Sequence, residues 1–163
     1  MDFSMSYEAR LADYQDGSDA KGIVRLMREY ARIEECDREE LERLPEILLG
    51  LDQGFTVLAF HERSSDVPIG LINCFFGFST FELRPVVNVH DVIVTESHRG
   101  QGVARGMLEC VESKSRSLNA CRITLEVLAD NPSAMRAYQK YGFGHDPAHK
   151  GVDTYFLRMP LSE

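Results

Sequence analysis

From Asp19 onward the apolar residues Ile23, Leu26, Met27 and Tyr30 recur at helical spacing, which predicts a helix behind the turn and cap Asp16-Gly17-Ser18. Ser6–Asp13 ahead of it reads as a first strand. A second helix is expected from about Arg38, with Leu41, Leu44, Leu48 and Leu51 on its apolar side. Pro45 falls inside it and predicts a break or kink, and Gly50 and Gly54 bracket its end. Three runs rich in Val, Ile and Phe follow as strands, Phe55–His61, Ile69–Phe78 and Pro85–Thr95, the first two joined by a turn at Ser64-Ser65-Asp66. A helix starts near Gly102, with Val103, Met107, Leu108 and Val111 facing inward. Its end carries Lys114 and Arg116, cations suited to the helix dipole. Arg122–Leu128 alternates Ile123, Leu125 and Val127 as a strand. Asn131-Pro132-Ser133 opens another helix that ends at Tyr141-Gly142, and Thr154–Met159 reads as a final strand.

The second half therefore runs strand, glycine-rich loop, helix, strand, helix. That order implies a parallel strand pair with a right-handed crossover, whereas the first half is antiparallel. The fold class is α/β with a mixed, mostly antiparallel sheet flanked by helices. No repeat, linker or composition shift marks a boundary, so residues 1–163 are expected to form a single domain.

Composition narrows the function. At 163 residues, with 44% hydrophobic and 27% charged, the chain can bury about 70% of its unfolded surface without a disulfide or metal. No apolar run approaches the roughly 20 residues of a membrane helix, and the first residues lack the basic and apolar regions of a signal peptide, so no membrane partner and a cytoplasmic location are expected. Cys36, Cys74, Cys110 and Cys121 form no Cys-x-x-Cys pair and read as reduced and structural. The five histidines show no ligand spacing, so no metal is expected. A net charge of −8 with no basic stripe argues against a nucleic-acid partner and suits a cationic acceptor, although it also serves solubility alone. The acidic run Glu34–Glu40 admits the same two readings.

The chemistry concentrates in Val92-Ile93-Val94-Thr95-Glu96-Ser97-His98-Arg99-Gly100-Gln101-Gly102-Val103-Ala104, where an apolar strand enters a two-glycine turn and then a helix. The first N–H groups of a helix lack intrahelical partners, and a phosphate satisfies both them and the helix dipole. The segment predicts an anion site. By itself it does not separate that role from a glycine turn closing a strand-helix corner. Gly106 is offset from the dinucleotide fingerprint, and no Gly-Lys-Ser or Gly-Lys-Thr is present.

Arg99-x-x-Gly102-x-Ala104 resembles the Arg/Gln-x-x-Gly-x-Gly/Ala signature of the GCN5-related N-acetyltransferase (GNAT) superfamily. His90-Asp91-Val92-Ile93-Val94 is similar to that superfamily's cofactor-facing strand, and Leu125–Phe143 to its next strand and helix. The stretch Cys74–Phe81 resembles its polyamine and small-amine members, which would carry two acids where His90 and Asp91 stand. The resemblance implies a sheet whose central strands splay apart, and acetyl-CoA as co-substrate. The backbone of Arg99, Gly100, Gln101, Gly102, Val103, Ala104 and Arg105 would cradle the pyrophosphate. Val92, Ile93 and Val94 would pair with the pantetheine arm, and Asn131 would hydrogen-bond it. Tyr138 would protonate the leaving thiolate.

An alkylamine must lose a proton before it attacks a thioester. His90 and Glu126 are the candidate bases, directly or through water, and each has an ordinary strand role as its alternative. His90 and Asp91 are the candidate acceptor-binding residues, expected on opposite faces of the strand unless a bulge intervenes. The expected activity is acetyl transfer to a primary amine of a small molecule by direct attack in a ternary complex. A protein or peptide N-acetyltransferase and a CoA-binding regulatory module are the alternatives, and a homodimer is compatible with the family.

Overall fold

A computed structural model of the chain describes residues 7–30, 39–61, 64–144 and 159. Its elements are β1 (Tyr7–Leu11), α1 (Gly17–Tyr30), a 3-10 turn (Glu39–Arg43), α2 (Leu44–Leu51), β2 (Gly54–His61), β3 (Ser64–Ser79), β4 (Arg84–Val94), a 3-10 turn (Glu96–His98), α3 (Val103–Ser117), β5 (Arg122–Leu125) and α4 (Pro132–Tyr141). The strands form one sheet in the order β1-β2-β3-β4-β5. The first three pairs are antiparallel and β4–β5 is parallel, the mixed sheet expected of the pattern. Contacts group into two compact units, Met1–Glu126 and Val127–Glu163. The sheet and α1 to α3 lie in the first, and α4 lies in the second. Among the described residues no helix is long and apolar enough to cross a membrane.

Helix α1 forms because Asp16 caps it. Asp16 Oδ1 accepts from the Ser18 and Asp19 N–H groups at 2.8 and 3.1 Å, the first-turn donors that have no partner inside the helix. Its apolar stripe then lays Ile23 and Leu26 on Leu58, Leu71 and Ile93, residues that the strand register puts on one sheet face. Each such burial contributes roughly 1.5–3 kcal/mol. Arg10 of β1 reaches the buried Asp19 with two bonds of 2.7 and 2.8 Å, which ties the first strand to this helix. The opposite face, with Val57, Ile72, Val87 and Val89, lies under α3, whose Met107 and Val111 are fully buried. A Cβ on Gly70 would stand 2.9 Å from Met107 Cε, so the missing side chain lets that helix approach.

The break expected at Pro45 is present: the 3-10 turn ends at Arg43, and Pro45 occupies the first turn of α2, where its missing N–H costs nothing. Two expectations are corrected. Ser64 and Asp66 are not a turn but the start of β3. Strand β5 stops at Leu125 rather than Leu128, because its ladder with β4 runs only from Val86–Arg122 to Val89–Leu125. The expected final strand Thr154–Met159, apart from Met159 itself, lies outside the described residues, as do Cys36, His145, His149 and most of the acidic run Glu34–Glu40.

Candidate active site

The site is built where β4 loses its partner on one side. On β3, Asn73 pairs with Asp91 and Cys74 pairs with Val89, so His90 is an extra residue in the ladder. An inserted residue bends a strand and increases its twist. Val89–Leu125 is also the last β4–β5 pair. His90 on β4 and Glu126 just past β5 are therefore the first residues beyond the pairing, one on each side of the opening. Beyond them, Asp91–Val94 pair only with β3 among the described residues, leaving one backbone edge without a strand.

The bulge also decides where the candidate side chains point. Simple alternation would put His90 with Val92 and Val94, away from Asp91. Instead the His90 ring stands edge-on to Phe75 with centroids 5.4 Å apart, and its Nδ1 lies 3.3 Å from Asp91 Oδ1. The two share a side of the sheet, with His90 63% exposed and Asp91 13%. Glu126 is exposed.

Asp91 is held from behind by residues the sequence reading did not single out. Asn73 Nδ2 donates to Asp91 Oδ2 at 3.0 Å. Thr56 Oγ1 donates to Asn73 Oδ1 at 2.7 Å, and Tyr14 Oη is 2.9 Å from Thr56 Oγ1. Thr56 and Asn73 are buried. Each is a lone polar residue in an apolar strand run, Phe55-Thr56-Val57 and Ile72-Asn73-Cys74, and that is the signal by which they were detectable. Tyr30 of α1 also faces this corner; burial and then the Asp91 charge raise its hydroxyl pKa. On β3, burial foremost pushes the Cys74 thiol up to about 12, so Cys74 stays a neutral core residue and not a nucleophile.

Past the end of β4, the chain enters the glycine loop. Gly100 and Gly102 have φ of +74° and +87°, the left-handed region that favours glycine. Gly102 is the N-cap of α3 and contributes no side-chain cap. The first helical bond runs from Gly106 N to Gly102 O, so the amides of Val103, Ala104 and Arg105 precede it. With no side-chain cap, the helix start presents a cluster of backbone donors, an arrangement that fits a pyrophosphate.

Neighbouring side chains shape the loop. Arg99 Nε donates to Val94 O at 3.0 Å and Gln101 Nε2 to Ser97 O at 2.9 Å. His98 Nδ1 lies 2.9 Å from both Thr95 Oγ1 and Ser97 Oγ, inside the 3-10 turn. The Arg105 side chain pairs with Glu109 at 3.0 Å, which leaves its backbone N–H as its contribution to the loop. Tyr7, unremarked in the sequence, donates to Gly102 O at 2.7 Å. A Cβ on Gly106 would stand 2.5 Å from Tyr7 Cε2, so Gly106 makes room for that ring.

In the second unit, Asn131 caps α4 by accepting from Ala134 N at 3.1 Å, which leaves its Nδ2 as a donor. Tyr138 is half-buried on α4, its ring edge-on to Phe143 at 5.9 Å between centroids. Among the described residues no group of His, Cys, Asp and Glu is arranged to hold a metal.

Known proteins resemble this chain in sequence and in fold. Residues 20–143 match the model of the Acetyltransferase (GNAT) family. The uncharacterized N-acetyltransferase YdgE of Bacillus subtilis (strain 168) is 40% identical over 48 residues, 29% of this chain and 31% of that relative, so the match spans about a third of the relative's length. A crystal structure of a probable acetyltransferase superposes with a TM-score of 0.76 at 23% identity, covering 97% of this chain and 100% of the other. An aminoglycoside acetyltransferase from an uncultured soil metagenomic sample, in complex with sisomicin, gives 0.76 at 12% identity, covering 94% and 96%. Ribosomal-protein-alanine N-acetyltransferase from Brucella melitensis biovar Abortus 2308 gives 0.74 at 16% identity, covering 94% and 100%. At these identities the structures establish a shared fold. With the family model matching across most of the chain, the protein belongs to the GNAT family of acetyltransferases.

Proposed function

We propose that the protein transfers acetyl from acetyl-CoA to a primary amine of a small molecule, by direct attack in a ternary complex. The observation that carries the reading is the end of the β4–β5 ladder at Val89–Leu125, which opens the sheet between His90 and Glu126. Acetyl-CoA supplies the acetyl thioester. The amides of Val103, Ala104 and Arg105, with the Arg99–Gly102 loop, hold its pyrophosphate. The open backbone edge at Val92, Ile93 and Val94 pairs with the pantetheine arm, to which Asn131 Nδ2 donates.

His90 Nε2 takes the proton of the acceptor ammonium, with Asp91 behind Nδ1 at 3.3 Å. The neutral amine then forms its N–C bond as the C–S bond breaks. An N–H on the β4 edge donates to the oxygen that becomes negative. The Tyr138 hydroxyl gives its proton to the departing sulfur and is restored by the second proton that the nitrogen loses as the amide forms.

Thiol release against panels of amines, amino acids, polyamines and peptides tests the reading. His90→Gln is expected to lower kcat about 100-fold, and Glu126→Gln less than tenfold; the reverse order moves the base to Glu126. Tyr138→Phe lowers kcat at constant acetyl-CoA affinity, and unchanged turnover removes it as the acid. Release with peptides alone points to a protein acceptor. CoA binding without release for any acceptor leaves a regulatory module.

A further inference from the structure

The chain of polar groups behind Asp91 has a fixed direction. A carboxylate only accepts, so Asn73 must present its amide Nδ2 to Asp91 Oδ2. Its Oδ1 then faces Thr56, whose hydroxyl must donate. With that proton committed, the Thr56 oxygen accepts from Tyr14. Reversing any link would set two donors or two acceptors against each other in a buried place, which costs about 1–3 kcal/mol per unmade bond. The relay crosses from the loop before α1 through β2 and β3 to β4, and every side-chain polar atom buried along it has a partner.

The relay ends on one oxygen of Asp91 and leaves the other, Oδ1, toward His90 Nδ1 at 3.3 Å. We infer that Asn73, Thr56 and Tyr14 are positioning residues that fix the Asp91 carboxylate so that it selects the Nδ1–H form of His90. Nε2 is then the nitrogen that carries the lone pair. The edge of Phe75 limits how far the ring can turn away. This rests on the reading of His90 as the base, because the relay acts through that ring. A merely structural role would predict an effect on stability alone. A positioning role predicts that the imidazole itself responds to a substitution at Thr56, which lies beyond Asp91 and Asn73.

The test is histidine nitrogen NMR on the full chain, with the five histidines resolved by the loss of one signal in His90→Gln. The wild-type His90 ring is expected in the Nδ1–H form. Thr56→Val, close in shape but without the donor, and Asp91→Asn should both shift it toward a mixture. Thr56→Ser, which restores the donor, should return it. With acetyl-CoA and an accepted amine, Thr56→Val lowers kcat about tenfold at unchanged acetyl-CoA KM, the scale of one hydrogen bond. Adding it to Asp91→Asn costs nothing further. An unchanged His90 tautomer in folded Thr56→Val overturns the inference, whatever happens to its melting temperature. A tautomer that responds while His90→Gln turns over like wild type upholds the relay and removes His90 as the base. Tyr14→Phe supplies the same comparison if Thr56→Val does not fold.

Discussion

Gly102 combines two demands that a side chain would violate. Its φ of +87° lies in the left-handed region, and a Cβ would stand 3.2 Å from the Tyr7 hydroxyl that binds its own carbonyl. Gly100 has a similar φ of +74° but open space where a Cβ would go. The two positions therefore separate backbone strain from contact. Gly100→Ala should lower stability by about 1 kcal/mol and Gly102→Ala by about 2 kcal/mol, as read from urea midpoints. Only the second displaces Tyr7 from the loop carbonyl. The stabilisation by saturating acetyl-CoA, seen as a rise in melting temperature, should fall more for Gly102→Ala than for Gly100→Ala. Equal losses would show that Tyr7 does not hold the loop in its binding shape.

Helix α1 depends on a charged cap, which makes its start sensitive to acid. The Ser18 hydroxyl first, then the backbone N–H groups of Asp19 and Ser18, hold the Asp16 carboxyl below its ordinary value of 3.8. A carboxyl with a lowered folded pKa contributes stability above its unfolded pKa and loses it as pH falls through the folded one. The melting temperature should therefore drop below about pH 4 by more in the wild type than in Asp16→Asn, which keeps the acceptor but does not titrate. Parallel curves between pH 6 and 2.5 would exclude the cap as a source of acid sensitivity.

Elements of this kind were legible because their signals are local. The Asp16 cap, the apolar stripes of α1 and α3, the glycine loop and the Asn131-Pro132 start of α4 all lie within a few residues of what they specify. A bulge where the strands part was implied by the resemblance, but its place at His90 was not legible, since it depends on Asn73 and Cys74 on another strand skipping a residue of β4. Nor was the early end of β5: Ile123, Leu125 and Val127 alternate without interruption, but a strand needs a ladder as well as a pattern, and β4 supplies none past Val89. The same non-local event decided that His90 and Asp91 share a side. Residue alternation alone gave the opposite answer.

At the scale of the whole molecule, the two substrates of the proposed reaction meet opposite fields. The protein carries a net charge of −8. CoA is a polyanion, so the net charge repels it at long range, against the contact attraction of the proposed loop site. An alkylammonium acceptor is attracted at long range. Salt acts unequally on these terms. The Debye length shrinks from about 30 Å at 0.01 M to about 8 Å at 0.15 M, which removes the distant field but leaves hydrogen bonds at contact distance largely intact. Raising salt over that range should lower the acetyl-CoA KM and raise the KM of a cationic acceptor, each by roughly twofold. A neutral-amine acceptor of the same shape should show no such rise. If both constants rise together, the local cluster at the α3 N-terminus outweighs the net charge, and CoA capture is governed by Arg99 and the loop amides alone.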